Sequence, residues 1–288
     1  MKSVWMMIVA VVTLFAGDGA VEVPRSQPLL KGPYLGQKPP GMTPEPFAPG
    51  IVTTERWEYC ATFTPDLKTI YFLEEEAETD KDLFMVYEEK ADGWYKSRVS
   101  DRVGQPFIAP DGKIMHLGRR YKERTADGWS ALKTLDPKFT THKIMRLTAS
   151  AKGTYVFDDM GAEGGRGMIR YSRVVDGKHE QPKKFGPQVN SGRANAHPFI
   201  AADESFLMWD SRRETGRGNA DLYICFKQAD GTWGDAVNLG DTINTEASEF
   251  CPSVTPDGKY LVFHRSVKRG TADIMWVDAK ILEQLRPK

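Results

Sequence analysis

Apolar and polar positions alternate along most of the chain in short stretches that end at tight-turn residues, a pattern typical of β-strands. The clearest unit is a short apolar strand, a turn of the Pro-Asp-Gly type, and a returning strand rich in β-branched and aromatic residues. Five copies of this unit place the second residue of the turn at positions 66, 111, 152, 203 and 257, the third copy being degenerate. Copies spaced 41–54 residues apart match one four-stranded propeller blade per repeat.

The remaining strands follow from the same alternation. Returning strands are predicted at residues 69–73, 113–117, 154–157, 206–209 and 260–263, and third strands are clearest at residues 82–86, 221–225 and 273–277. Further Asp-Gly turns at residues 91–94, 126–129 and 229–233 are expected to open an outermost strand.

The two ends of the repeat region determine how the ring closes. The last copy lacks an outer strand, because residues 279–285 favour a short helix. Residues 46–54 precede the first inner strand and align with residues 236–245 before the last one, so they should supply the missing strand. We therefore predict an all-β fold: a five-bladed β-propeller of four-stranded antiparallel blades, closed by an N-terminal outer strand and followed by a short C-terminal helix.

The N-terminus has the order of a secretory signal peptide. Residues 1–20 combine one positive charge, an apolar run at 4–15 and small residues, and the run is shorter than the roughly 20 residues that span a bilayer. An uncleaved anchor is the alternative. We expect residues 21–44 to be an extended leader, poorly ordered as far as position 37, and residues 45–288 to form one propeller domain. The expected location is the periplasm or the outside of the cell, with no membrane span after cleavage.

Charge and composition exclude several classes of function. The chain has 39 basic and 39 acidic residues and a mean hydropathy of −0.46, so it is neither a multi-span membrane protein nor disordered. Without a charge excess, no long-range field attracts nucleic acid. No nucleotide-binding loop, HExxH helix or GxSxG elbow is present, and we expect no cofactor. A monomer is expected.

Three cysteines raise the question of a disulfide or a metal site. Cys60 and Cys251 occupy equivalent positions in the first and last repeats, which become neighbours when the ring closes. Inner strands of adjacent blades typically lie farther apart than the roughly 4.4–6.8 Å between Cα atoms that a disulfide requires, so we predict that these cysteines are not bonded. No two cysteines show a CxxC spacing, and we expect no metal site.

Residues 249–263, followed by residues 270–274, carry the most complete copy of the repeat and resemble the repeats of the TolB propeller. They also resemble the WD-repeat-like blades of many exported bacterial proteins. The resemblance covers residues 45–278 and implies a propeller. The group includes periplasmic interaction scaffolds and carbohydrate-active enzymes, so it leaves the function open.

In a propeller, the starts of the inner strands and the ends of the second strands converge at one mouth of the channel. Candidate ligand-binding residues at these repeat positions are Glu58, Arg146, His197, Asp210, Arg212, Arg213, Glu249, His264 and Arg265. The first hypothesis is a non-enzymatic module that binds a protein or glycan partner. The second is a carbohydrate-active lyase, with His197 or His264 beside Arg212 and Arg265, or a glycoside hydrolase using Glu58, Glu249 and Asp210. No catalytic residue is assigned, because repeated Arg and Asp also tie adjacent blades together.

Overall fold

The computed structural model describes residues 31–287 except 77, 78, 80 and 269. These residues form five antiparallel sheets of at least four strands and one two-stranded hairpin, and in each of the first four large sheets the main strands follow chain order from the inner to the outer edge. The inner strand of each sheet contacts the inner strand of the next, and the inner strand of the fifth contacts that of the first. The sheets are therefore the blades of a closed five-bladed propeller, which confirms the predicted fold.

The strand bounds, by blade, are as follows. Blade 1 comprises Glu58–Phe63, Thr69–Glu75, Asp82–Lys90 and Gly93–Asp101; blade 2 comprises Pro106–Ile108, Ile114–Leu117, Arg120–Thr125 and Lys133–Thr134. Blade 3 comprises Leu147–Ala149, Tyr155–Asp159, Met168–Ser172 and Lys183–Lys184; blade 4 comprises Arg193–Ile200, Phe206–Arg212, Asp221–Phe226 and Val237–Asn238. Blade 5 comprises Ser248–Val254, Tyr260–Lys268, Thr271–Asp278 and, as its outer strand, Glu45–Pro46.

Among the described residues, one extra short strand, one hairpin and five short helices accompany the main strands of the blades. Gly128–Trp129 pairs with the third strand of blade 2, and Val174–Val175 pairs with Lys178–His179 as a separate hairpin after blade 3. The short helices are Pro33–Gly36, Pro137–Thr140, Ala162–Gly165, Pro187–Asn190 and Lys280–Glu283. The last of these is the predicted C-terminal helix. No helix within the described residues is long and apolar enough to cross a membrane.

The N-terminal segment closes the ring as predicted. Glu45 and Pro46 pair with Trp276 and Met275 on the third strand of blade 5, and the Phe47 N–H donates to the Ile274 carbonyl at 2.7 Å. Proline is tolerated in this strand because the strand lies at the sheet edge, where its missing N–H breaks no ladder.

The leader differs from the expectation of a poorly ordered segment up to residue 37. Tyr34 and Leu35 are buried in an apolar cluster that includes Phe47, Phe63 and Trp276. The Tyr34 hydroxyl donates to the Asp257 carboxylate at 2.7 Å. No periodic pattern pointed to this contact, because the four residues of Pro33–Gly36 are too few to show one. The predicted signal peptide at residues 1–20 lies outside the described residues and remains a prediction.

The turn between the first and second strands of each blade requires a left-handed residue. Gly112, Gly153 and Gly258 fill this position in blades 2, 3 and 5 with φ between 71° and 80°. In blades 1 and 4 the position is held by Leu67 and Glu204, with φ of 58° and 65°. A side chain in this conformation is strained, so it needs compensating contacts.

Glu204 has such contacts, and they join blade 4 to blade 3. Its carboxylate accepts a hydrogen bond from Ser150 at 2.9 Å and pairs with the Lys227 ammonium at 2.9 Å. Burial alone would raise the pKa of Glu204, but Lys227 and the hydroxyls of Thr154 and Ser150 outweigh it and lower this pKa to about 2. The ionised carboxylate is therefore the form that stabilises the fold.

Glu204→Gln is expected to lower the free energy of unfolding by about 1 kcal/mol at neutral pH, as one charge-assisted tie is lost. Because the pKa of Glu204 in the folded protein lies below its unfolded value, this stabilisation is present above pH 4.5 and is lost as the pH falls toward 2. Melting temperatures measured across that range should converge for wild type and variant. Glu214→Gln, at an exposed position, is the control, and a constant difference at all pH values would contradict the prediction.

Candidate functional site

One residue from each blade lines the channel at the same repeat position, six residues before the second residue of the turn. These five residues form what we call the channel ring: Cys60, Gln105, Arg146, His197 and Cys251. Four of them are buried, and the side chain of His197 is 12% exposed. The ring therefore combines two sulfurs, an amide, a guanidinium and an imidazole in the interior of the propeller.

A backbone irregularity accompanies three members of the ring. Cys60, His197 and Cys251 have φ of 51°, 48° and 54°, and the pairing of each inner strand with its neighbour shifts register at this point. Such a bulge leaves a residue out of the ladder and redirects its side chain. The equivalent positions in blades 2 and 3 lie just before their inner strands begin.

The bulges correct the prediction about the cysteines. Cys60 and Cys251 form a disulfide with their Cα atoms 5.7 Å apart, inside the range that the bond requires. The prediction used the usual spacing of regular inner strands, whereas both cysteines lie on bulged strands whose blades meet at the ring closure. Cys225 is a buried free thiol in blade 4.

Two buried aspartates connect neighbouring blades by accepting hydrogen bonds from residues of the channel ring. Asp158 in blade 3 accepts from the backbone N–H groups of Met145, Arg146 and His197 at 2.7–3.1 Å. Asp210 in blade 4 accepts from the Cys251 N–H at 3.1 Å and contacts His197 Nδ1 at 2.7 Å. Each carboxylate thus satisfies the N–H exposed by the bulge of the next blade, which is a structural role.

The electrostatics of the ring follow from burial. Burial opposes protonation of His197, but Asp210 and Asp158 outweigh it and raise the pKa of this imidazole. Arg146 is fully buried, and burial lowers its pKa to about 10. Its Nη1 donates to Cys251 Sγ, whereas Nε and Nη2 have no hydrogen-bond partner among the described residues.

A cavity of about 430 Å³ opens at the mouth of the channel and exposes part of the ring. We call it the mouth cavity. Its wall consists of Trp57, Tyr59, Glu75, Asp82, Arg102, Gln105, His197, Phe250, His264 and Gly270.

The His264 imidazole lies among the aromatic rings of this wall. Its centroid is 5.0 Å from that of Phe250, 5.8 Å from that of Tyr59 and 6.3 Å from that of Trp57. Burial lowers the pKa of His264 well below its usual value, so the ring is neutral at physiological pH. At the rim, Arg102 Nη1 donates to Asp82 at 2.6 Å.

Two polar atoms in this wall are buried without a hydrogen-bond partner in the described part of the chain: Gln105 Oε1 and His264 Nδ1. Buried polar groups are normally paired, so such atoms mark places where a ligand or water completes the bonding. Tyr59 and Gln105 lie at the starts of inner strands, the positions from which the sequence-based candidates were drawn. Trp57 was not among those candidates.

The structure divides the sequence-predicted site residues into two groups. Arg146, His197, Asp210 and His264 converge on the channel, and two of these, His197 and His264, reach the mouth cavity. The other five do not line it.

Local bonds account for four of these five residues. Glu58 accepts from the Thr54 N–H and hydroxyl, and Glu249 accepts from the equivalent groups of Thr245 and from Arg265 Nε at 2.8 Å. The same pair, a Thr four residues before a Glu that accepts its two hydrogen bonds, therefore recurs in blades 1 and 5. The remaining two arginines lie on blade 4: Arg212 is exposed, and Arg213 donates to the Gln188 and Val189 carbonyls.

A second cavity, of about 500 Å³, is lined mainly by the turns between the first and second strands of blades 1, 2, 4 and 5. Its walls include Pro65, Pro110 and Pro256, and Glu283 and Arg286 lie beside them. None of the sequence-predicted site residues lines this cavity. The mouth cavity is therefore the better candidate for a functional site.

The comparisons with known proteins support the architecture. No family model and no curated protein matches the sequence. The structure is similar to the catalytic domain of a GH62 α-L-arabinofuranosidase from Coprinopsis cinerea, with a TM-score of 0.51, 8% identity, and coverage of 83% of this chain and 97% of that one. It also matches an endo-arabinase from Bacteroides thetaiotaomicron, with a TM-score of 0.49, 13% identity, and coverage of 84% and 97%.

TolB from Acinetobacter baumannii is a further neighbour, with a TM-score of 0.46, 16% identity, and coverage of 77% of this chain and 54% of TolB. The chain thus spans about half the length of that protein. At these identities the likeness concerns the fold alone. The class that the fold of this chain defines is the five-bladed β-propeller, and TolB is one of several structural neighbours.

Proposed function

We propose that the protein is an exported propeller that binds the end of a glycan in its mouth cavity without catalysing a reaction on it. The observation that supports this most is the wall of the cavity. Aromatic rings of Trp57, Tyr59 and Phe250 lie beside two buried polar atoms without partners, on Gln105 and His264. Sugars present both an apolar C–H face, which packs on aromatic rings, and hydroxyls, which pair with such polar atoms.

The shape of the site favours a glycan over a protein partner. Specific protein–protein interfaces bury at least about 1,200 Å² and are broad, whereas ligand sites are concave and of roughly 300–1,000 Å³. The mouth cavity, at about 430 Å³, falls in the second class. Its charged rim of Glu75, Asp82 and Arg102 offers further hydrogen bonds to hydroxyl groups.

The carboxylates predicted for a glycoside hydrolase lie outside the mouth cavity, and of the two that do line it, Glu75 and Asp82, the second is paired with Arg102. Such an enzyme needs two carboxyl groups that face the substrate. Glu58, Glu249 and Asp210 accept hydrogen bonds from neighbouring backbone N–H groups, and none of them lines the mouth cavity. Binding alone requires no such pair.

Trp57→Ala is expected to weaken glycan binding at least about tenfold, equivalent to ~1.4 kcal/mol, because the variant loses a stacking surface. The purified protein would first be tested for retention on a panel of neutral and uronic-acid polysaccharides. The affinity for a retained oligosaccharide would then be measured by titration calorimetry.

Trp233→Ala is the matched control, since Trp233 is also partly buried but lies near the outer strand of blade 4. Wild-type protein that retains no glycan, or equal affinities for the two Trp variants, would refute the proposal.

One observation favours a second candidate, a lyase that acts on uronic-acid glycans. His197 lines the mouth cavity while Asp210 holds its Nδ1 at 2.7 Å, an arrangement that orients an imidazole for general-base work. The test is the appearance of unsaturated products, followed by ultraviolet absorbance, with a retained uronic-acid polysaccharide. Activity should be lost in His197→Gln and kept in Arg212→Ala, and no product from any polysaccharide would refute the lyase.

A further inference from the structure

Three soft or borderline ligand atoms meet where blades 1 and 5 join. The sulfurs of Cys60 and Cys251 and a ring nitrogen of His264 all lie within 4.8 Å of one another, and all three residues are buried. His264 comes from the second strand of blade 5, and the two cysteines come from the inner strands on either side of the closure. The arrangement depends on the closed ring and on no local sequence motif.

The His264 imidazole is available for a ligand. Its Nδ1 is buried and lacks a hydrogen-bond partner among the described residues, and Phe250 stacks against the ring at 5.0 Å. Buried polar atoms are normally paired, so such a nitrogen is free to accept a ligand; His116 and His179 also have a buried Nδ1 without a partner in the described part of the chain. His264 also belongs to the wall of the mouth cavity, whereas neither cysteine lines it.

We propose that, when the Cys60–Cys251 disulfide is reduced, the protein binds one Cu(I) ion through both sulfurs and His264. Thiolate sulfur selects soft ions such as Cu(I), and imidazole completes such sites. Metal–sulfur bonds of about 2.3 Å and metal–nitrogen bonds of about 2.0 Å place ligand atoms roughly 4 Å apart. Opening the disulfide and small side-chain movements therefore suffice to form the site.

The buried Arg146 guanidinium offsets part of the charge of the reduced site. Two bound thiolates carry two negative charges, one of which Cu(I) neutralises, and Asp158 and Asp210 also act on Arg146. Arg146 already donates to Cys251 Sγ, so it lies beside the ligand whose charge it offsets.

Reduction of the disulfide balances in atoms and electrons when a dithiol is the reductant. The dithiol gives two electrons and two protons to the disulfide; the S–S bond breaks, two thiols form, and the reductant becomes a disulfide. Binding of Cu(I) then releases both thiol protons and forms two copper–sulfur bonds. The ion and the disulfide exclude each other, so only the reduced form takes up metal.

The test compares the oxidised and reduced forms of the same purified protein. One sample is reduced with dithiothreitol and freed of it by anaerobic gel filtration, and both are titrated with Cu(I) against a competing chelator. The reduced protein should bind one equivalent and the oxidised protein none. X-ray absorption should show two sulfurs and one nitrogen around the ion, and circular dichroism should show that both forms remain folded.

Variants assign the ligands. Cys60→Ser and Cys251→Ser should abolish binding, and His264→Gln should weaken it by more than the about 10–100-fold that loss of a supporting residue costs. The matched controls are Cys225→Ala, which removes the buried third cysteine, and His116→Gln, which removes another buried imidazole with an unpaired Nδ1. Both controls should bind as wild type does.

Several outcomes would overturn the proposal. These are equal Cu(I) binding by oxidised and reduced protein, loss of binding in either control, and binding that His264→Gln leaves unchanged. Uptake of Zn(II) without Cu(I) would overturn the assignment of the ion. A reduced wild-type chain that unfolds would also refute the proposal, because the site exists only in the closed ring.

Discussion

Reduction of the Cys60–Cys251 disulfide is expected to lower the free energy of unfolding by about 2–5 kcal/mol. The bond joins positions 191 residues apart, so it removes much of the conformational freedom of the unfolded chain. In the chain-entropy account the effect grows with the logarithm of the loop, and a loop of this length lies at the upper end of the range. Denaturant unfolding with and without dithiothreitol, in buffer containing a metal chelator, measures the difference.

The Cys60→Ser/Cys251→Ser double variant controls for other effects of the reductant. Its stability should match that of reduced wild-type protein and should not change when dithiothreitol is added. Cys225 is buried and free, so its presence in both chains cancels. If reduction leaves the denaturation midpoint of the wild type unchanged, the disulfide does not stabilise the closed ring.

The joint between blades 5 and 1 is held at both its inner and outer edges. At the channel the disulfide links the two inner strands, and at the outer edge of the propeller Glu45–Pro46 pairs with the third strand of blade 5. A propeller must bring its chain ends together before its last sheet is complete, and the loop that closes is nearly the whole domain. Two attachments at the same joint offset that entropic cost.

The repeats made the architecture predictable from the sequence. Each copy carries its own turn chemistry and alternating strands, so five aligned copies determine the number of blades and their order. The closing strand could be predicted from the alignment of residues 46–54 with the linker before the last copy. The disulfide could not, because it depends on positive φ at Cys60 and Cys251, a conformation that non-glycine residues rarely adopt.

The candidate site was predictable in part, for the same reason. Equivalent repeat positions meet at the channel, which brings together Arg146, His197, Asp210 and His264. What a repeat position does not tell is whether a polar group is already paired. Glu58 and Glu249 occupy equivalent positions, but each is bonded to a Thr four residues earlier.

Two residues of the mouth cavity could not be placed from the alignment of the copies. Trp57 precedes the first inner strand, and Arg102 follows the outer strand of blade 1. The repeat position of Trp57 is held by Ser248 in the last copy. The alignment therefore gave no reason to place them beside His264, and only the packing of the blades does so.

Removal of residues 31–37 is expected to lower the free energy of unfolding by about 2 kcal/mol, although a poorly ordered leader was expected up to residue 37. The shortened chain would expose the apolar surface that Tyr34 and Leu35 cover in the core. The hydrogen bonds from Tyr34 to Asp257 and from Trp94 to Gly32 would also be lost.

Two chains that begin at Lys31 and at Lys38 separate this effect from that of the preceding residues. Thermal and denaturant unfolding should show the loss only in the shorter chain. Leu35→Ala at full length should cost about 2–5 kcal/mol, because Leu35 is completely buried, whereas Met42→Ala, at an exposed position in the same segment, should change the stability by less than about 0.5 kcal/mol. Equal stability of the two truncated chains would mean that Tyr34 and Leu35 do not belong to the core and that the propeller begins at its closing strand.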